Sequence, residues 1–204
     1  MFHLYFGESI PNLTDWIQAI CAIGILTLTF FAFIKWRDQK KYDLNLVALT
    51  SIPLIKSIVW YHIFSLQHVL EELRVIGNTG VIKASDLYRT AREISELSTK
   101  FERDLLESNF NSNLAFIRSQ KSVEREFKST YGFYRELNRI LDDQLFEPSS
   151  KLIIDYVDKR KYIDYENIHQ CVDDFKDFSV KILPNVIDEL SDVFEQYNYN
   201  PKQS

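Results

Sequence analysis

Glu166, His169 and Asp173 fall on one side of a helix, with the spacing that metal chemistry uses. A Glu-x-x-His element projects a carboxylate and an imidazole from adjacent turns, and carboxylate-bridged di-iron bundles combine two such elements with two further inward Glu residues. This sequence carries one copy, so the face reads as the solvated side of an amphipathic helix. His62 and His68 are six residues apart and point to different sides of a helix, which disfavours a shared metal. The carboxylates Asp142-Asp143, Asp155 with Asp158, and Asp173-Asp174 lack the glycine-centred spacing of a calcium loop.

Nucleophile chemistry is equally unsupported. No Gly-x-Ser-x-Gly occurs, and Gly77-Asn78-Thr79-Gly80 lacks the lysine of a phosphate-cradling loop. Cys21 lies in an apolar run and Cys171 far from it, so no disulfide framework is expected and a reducing compartment fits. Asn12-Leu13-Thr14 matches a glycosylation sequon but reads better as a helix cap. No residue is assigned a catalytic, cofactor-binding or metal-binding role, and the chain is expected not to be an enzyme. A metal-dependent enzyme built on Glu166, His169 and Asp173 is the least favoured reading. Trp60, Tyr61 and Phe64, beside His62, form a candidate interaction surface for lipid headgroups or a partner. Core packing competes with that reading and is preferred, because Trp and Tyr also pack with their polar tips wet.

The elements that would position these residues begin with an uncharged run, Ile17 to Ile34, in which Gln18, Thr27 and Thr29 are the main polar groups. Trp16 and Trp36 border it, and twenty rises of about 1.5 Å between them cover about 30 Å, the thickness of a hydrocarbon core. Asn12, Thr14 or Asp15 can cap this helix, and the two threonine hydroxyls can return to their own backbone. Lys35, Arg37, Lys40 and Lys41 follow directly, four basic residues against Asp38, whereas only Glu8 and Asp15 are charged before the run. Together with Trp16 and Trp36 they form the expected membrane-interface set. The positive-inside rule then places residues 1–15 outside, 16–36 as a transmembrane helix and 37–204 in the cytoplasm, at the cell (inner) membrane. A cleaved signal peptide would show the reverse order of charge.

A second span over Leu46 to Leu66 is the main rival. Lys56 near its centre costs about 2.5 to 3.5 kcal/mol against about 0.3 to 0.6 gained per Leu, Ile, Val or Phe, and Pro53 and His62 weaken it further. A single span is therefore expected. Ala19, Ala22 and Gly24 offer small residues for helix approach, without a strict Gly-x-x-x-Gly.

The 204-residue chain has 15 Phe and 11 Tyr but only 5 Gly and 5 Pro, a composition that favours helices over turn-rich sheets. The net charge is −5. Beyond the basic run the balance is about −6, with acids and bases interleaved, so nucleic-acid binding is not expected. The fold class expected is all-α, the transmembrane helix continuing into an antiparallel cytoplasmic bundle. In that bundle a helix extends to a kink at Pro53. A run with Ile55, Ile58, Val59, Ile63, Leu66, Leu70 and Leu73 inward then ends at Gly77–Gly80. Ser85 caps a helix with Leu87, Ala91, Ile94, Leu97, Phe101 and Leu105 inward, and a polar break follows at Asn109 to Asn113.

A long helix from about Leu114 to Phe146 is closed by Pro148, Ser149 and Ser150. Asn113, Gln120, Thr130 and Gln144 at its seam positions argue against a zipper. An apolar stretch at Leu152 to Val157 precedes a helix through Ile168, Val172, Phe175, Phe178 and Ile182, and Pro184 starts the last helix, with Ile187, Leu190 and Phe194. The layout resembles that of small bacterial single-pass proteins, with no residue motif behind the likeness. The function expected is a membrane-anchored, non-catalytic interaction or regulatory module, its partners the lipid bilayer and a protein partner or a second copy. The alternative is a membrane effector of toxin or defence type that oligomerises and perturbs the bilayer.

Overall fold

A single helix, α1, with Pro53 its one proline and Gly24 and Gly77 its only glycines, extends over Leu13–Thr79 (67 residues). In this computed structural model the described residues are 13–119, 127–153 and 168–197; every element among them is helical and none is a strand. α1 passes through Pro53 instead of ending there. The missing N–H leaves the carbonyl four residues earlier without its helical donor, and in the same turn the hydroxyls of Thr50 and Ser51 donate to the Val47 carbonyl at 3.0 and 2.8 Å.

The chain divides into two compact units, Met1–Leu44 and Asn45–Ser204. In the first, the described part is helical and every side chain from Trp16 to Phe33 is exposed. In the second, the α1 residues Ala48, Ile52, Ile55, Val59, Ile63, Leu66, Leu70 and Leu73 are all buried. Their spacing of three and four is the stripe of a helix that covers a core, and each large aliphatic so buried contributes about 1.5–3 kcal/mol. Ala48 and Ile52 extend the expected stripe across Pro53.

The other helices of this unit are α2 (Ala84–Glu107), α3 (Phe110–Ser119), α4 (Lys128–Arg139), α5 (Glu147–Ile153), α6 (Ile168–Asp177) and α7 (Leu183–Gln196). α2 packs against α3, α5 and α6, and α4 packs against α3 and α7. α2 buries Leu87, Ala91, Ile94, Phe101 and Leu105 as expected, with Leu97 half-buried. Its start differs, because Lys83 is the N-cap and the Asp86 carboxylate accepts the Lys83 N–H at 3.0 Å. Ser85 lies inside the helix and does not cap it. The break after α2 is confined to Ser108 and Asn109, the latter in the left-handed region (φ 60°) that asparagine tolerates. Asn113 is buried within α3 and is not part of the break.

Neither Pro148 nor Pro184 ends a helix. A π-helical turn, Ile140–Phe146, joins α4 to α5, and another, Phe178–Ile182, joins α6 to α7. In both, the last bond spans five residues, Glu147 N–H to Asp142 O and Leu183 N–H to Phe178 O. The proline follows one residue later, where its lack of a donor falls at the start of the next α segment and costs little. Leu152 is buried at the end of α5; Gln120, Val123 and the rest of the expected 152–157 stretch beyond Ile153 lie outside the described residues.

Three segments distant in sequence meet at the fully buried Tyr134. Its hydroxyl donates to the Ala48 carbonyl of α1 at 2.9 Å and accepts from the Asn113 amide of α3 at 3.0 Å. Burial pushes its pKa up to about 12, so it stays a neutral donor. Gly132, two residues earlier, faces Tyr197: a Cβ there would stand 2.5 Å from the Tyr197 hydroxyl, so α4 needs glycine for this approach. Tyr134→Phe strands the buried Asn113 amide and should cost about 1–3 kcal/mol, read as a lowered melting temperature in detergent. Combined with Asn113→Ala, the loss should be clearly less than additive; full additivity would show that the two side chains act independently.

Candidate functional site

Among the described residues, those with metal or acid-base potential do not converge. His169 and Asp173 are exposed on α6, and Glu166 lies outside the described residues. Among the described residues no group of three or more His, Cys, Asp or Glu is placed to hold a metal ion. Asp142 accepts from the Asn138 amide at 2.7 Å and Asp174 from the Gln170 amide at 2.9 Å, each donor four residues earlier in the chain. Asp155 and Asp158 lie outside the described residues. His68 stands 3.4 Å from Glu72 on the solvated side of α1. A half-open cleft of about 330 Å³ between the end of α1 and α6 is apolar at Leu70, Leu73, Ile82 and Phe175, with Arg74 and Lys176 at its rim. Arg74 is already neutralised by Glu71, two contacts at 2.6 and 2.7 Å.

His62 is the buried member of the histidine pair. Its ring stacks on Phe101 of α2, centroids 4.1 Å apart and planes 4° from parallel. Desolvation pushes its pKa down from 6.5 to about 4, so it packs as a neutral ring.

Lys56, which argues against a second span, has a specific place. Its Nζ donates to the Phe194 carbonyl at 2.8 Å and lies 5.4 and 5.9 Å from the ring centroids of Phe194 and Phe133. That carbonyl is in the last turn of α7, where helical acceptors lack donors and the helix dipole is negative. Burial lowers the Lys56 pKa. α1 is assigned as helix throughout Leu13–Thr79, and the inner face of 46–66 is occupied by core contacts.

The aromatic cluster splits. Trp60 is half-buried, stacked on Phe64 (5.6 Å, 25°) and edge-on to Phe194 (5.5 Å, 72°). Tyr61 and Phe64 are exposed, at 56% and 61%, where core packing is the preferred sequence reading. Lys100 of α2 holds Tyr61 in place, its Nζ donating to the hydroxyl at 3.2 Å and lying 4.4 Å from the ring centroid. Leu46, Val47 and Leu54 are exposed on the same outer side of α1. Their signal in sequence is the seven-residue step Val47, Leu54, Tyr61, which is hidden because this segment is apolar on both sides.

α1 contains a window long and apolar enough to cross a membrane, and none of that window is buried. Trp16 and Trp36, the expected borders, are 59% and 56% exposed. Thr27 and Thr29 donate to Ile23 O and Ile25 O, each at 2.7 Å, which satisfies both hydroxyls inside their own helix. Of the basic set, Lys35, Arg37 and Lys40 are exposed and Lys41 half-buried; Arg37 stands 3.5 Å from Asp38, and Lys40 lies 5.1 Å from the Trp36 ring centroid. Comparison with protein families, curated proteins and solved structures finds no match to this chain.

His62 makes stability depend on pH with a defined sign. Above 6.5 the ring is neutral in both states. As the pH falls from 6.5 toward 4 the unfolded chain takes up a proton that the folded chain refuses, and about 3 kcal/mol of stability is lost across that window. His62→Phe keeps the stack on Phe101 and should flatten the fall in melting temperature between pH 6.5 and 4; equal slopes in the two proteins would refute the assignment.

Proposed function

We propose that this chain is a single-pass membrane protein whose C-terminal part, an antiparallel helical bundle, acts without catalysis as an interaction or regulatory module at the cytoplasmic face of the cell membrane. The observation that carries the reading is the uncharged interval from Ile17 to Ile34, apolar on all sides and exposed up to Phe33. A core helix of a soluble protein would be covered by other elements, whereas none of this window is. A hydrocarbon layer supplies the missing cover, and the internal bonds of Thr27 and Thr29 leave those hydroxyls no need of water inside it.

Direction comes from Lys35, Arg37, Lys40 and Lys41, whose cluster directly after the span favours a cytoplasmic C-terminal side. The same segment disfavours a bilayer-perturbing effector, because a conducting assembly needs a polar helix side and this span offers only Gln18 and two internally satisfied threonines. Reporters fused after Lys41 and at Ser204 should both read cytoplasmic, and the chain should stay in the membrane pellet after alkaline carbonate extraction. Replacing Lys35, Arg37, Lys40 and Lys41 with Gln should give mixed orientation of both reporters. Release by carbonate, or opposite readings at the two positions, would overturn the proposal.

A further inference from the structure

α1 has two sides in the second unit, and among the described residues only one of them is covered. Opposite the buried row that begins at Ala48 lie Val47, Thr50, Leu54, Ser57, Tyr61 and Phe64, all exposed. Their steps are three, four, three, four and three, the seam of a heptad repeat with Val, Leu and Tyr at one core position and Thr, Ser and Phe at the other. Leu46 and Pro53 flank the seam and are exposed as well. None of these eight side chains is charged over an interval of about 27 Å; Asp43 stands before the strip and Glu71 beyond it, and Lys100 of α2 reaches it at Tyr61.

We infer that this strip is the contact surface for a second copy of the chain, paired parallel and in register along the Leu46–Phe64 interval of α1. In that register every seam residue meets its own equivalent, so Val47, Leu54 and Tyr61 form layers to which no seam side chain brings a charge. The small side chains Thr50 and Ser57 let the helices approach, and the Thr50 hydroxyl already donates to the Val47 carbonyl, so covering it strands no donor. Leu46, Val47, Leu54, Tyr61 and Phe64 are 43%, 46%, 54%, 56% and 61% exposed. At about 200 Å² for an aromatic side chain and less for an aliphatic one, the strip offers roughly 500–700 Å² per copy, close to the ~800 Å² a side of a standard interface. Lys100 on Tyr61 and the Trp60–Phe64 stack hold the aromatic layer in place before contact, which lowers the entropic cost of association. The parallel direction rests on the proposed membrane anchoring, since two copies anchored alike present α1 with the same polarity.

The test is a cysteine scan of 46–64 in the full-length chain carrying Cys21→Ser, oxidised in native membranes and in detergent, with exposed Arg92→Cys on α2 as the control. Intermolecular cross-linking should peak at positions 47, 50, 54, 57, 61 and 64 and stay low at position 92. Leu54→Lys with Tyr61→Glu should weaken self-association about a hundredfold in detergent sedimentation, with helix content unchanged because both side chains are exposed. A flat cross-linking profile, or a monomer before any substitution, overturns the inference. So does quenching of Trp60 fluorescence by bromine-labelled acyl chains in a chain carrying Trp16→Phe and Trp36→Phe, which would make lipid the cover. Carbonate extraction of the same membranes reads anchoring separately: a chain released by carbonate that still cross-links with this period loses its anchor and keeps the dimer, whereas a retained chain with a flat profile does the opposite.

Discussion

A cation on the flank of an apolar helix must find acceptors, and Lys56 finds one at the C-terminal end of α7. The contact with the Phe194 carbonyl gives the ammonium a backbone acceptor that lacks a helical donor, and two aromatic rings stand close by. Three helices are fixed by this one side chain: α1 through its stem, α7 through the carbonyl, and α4 through the ring of Phe133. Tyr134, adjacent to that ring in sequence, then ties α4 back to α1 eight residues before Lys56 and to α3 through Asn113. A lysine that would be expensive in lipid, and expensive if buried without an acceptor, becomes the point at which the helices agree on their positions.

One helix thus meets its apolar surface in three environments. From Ile17 to Phe33 no described residue covers it; from Ala48 to Leu73 its inner side is buried; from Leu46 to Phe64 its outer side is apolar and exposed. His62 shows how strictly the inner side excludes water, since it is held neutral by burial against Phe101. Cross-helix polar contacts on the solvated sides, such as Arg139 with Glu189 at 2.7 Å and Gln144 with Glu189 at 2.8 Å, set register and add little energy at their exposure.

The helical content and the inner faces were legible from spacing alone. The buried residues of α2 and most of the α1 stripe follow from a period near 3.6 and need no tertiary knowledge. What spacing could not reveal is long-range partnership. Asn113 reads as a polar break because its acceptor, Tyr134, is 21 residues away. Ser85 reads as a cap because hydroxyls usually cap, whereas Asp86, one residue on, bonds the Lys83 N–H. Tyr61 and Phe64 read as core because they are aromatic beside buried neighbours, and only the direction of the α1 stripe turns them outward. For the metal reading, His169 and Asp173 are where spacing puts them, on one exposed side of α6, and Glu166 lies outside the described residues.

The two π-helical turns alter how the helices they join keep time. A π turn holds one residue more than an α turn, so each shifts the phase of everything after it by about 100°. The buried residues Leu183, Val186, Leu190 and Val193 of α7 are therefore in step with the core only because Phe178–Ile182 has taken up the extra residue. The same holds for α5 after Ile140–Phe146. A deletion of one residue inside either turn would close it to α geometry and leave Pro148 or Pro184 in the interior of a continuous helix. It would also rotate the following helix so that its charged side entered the core, which makes the less regular backbone the one this sequence is written for.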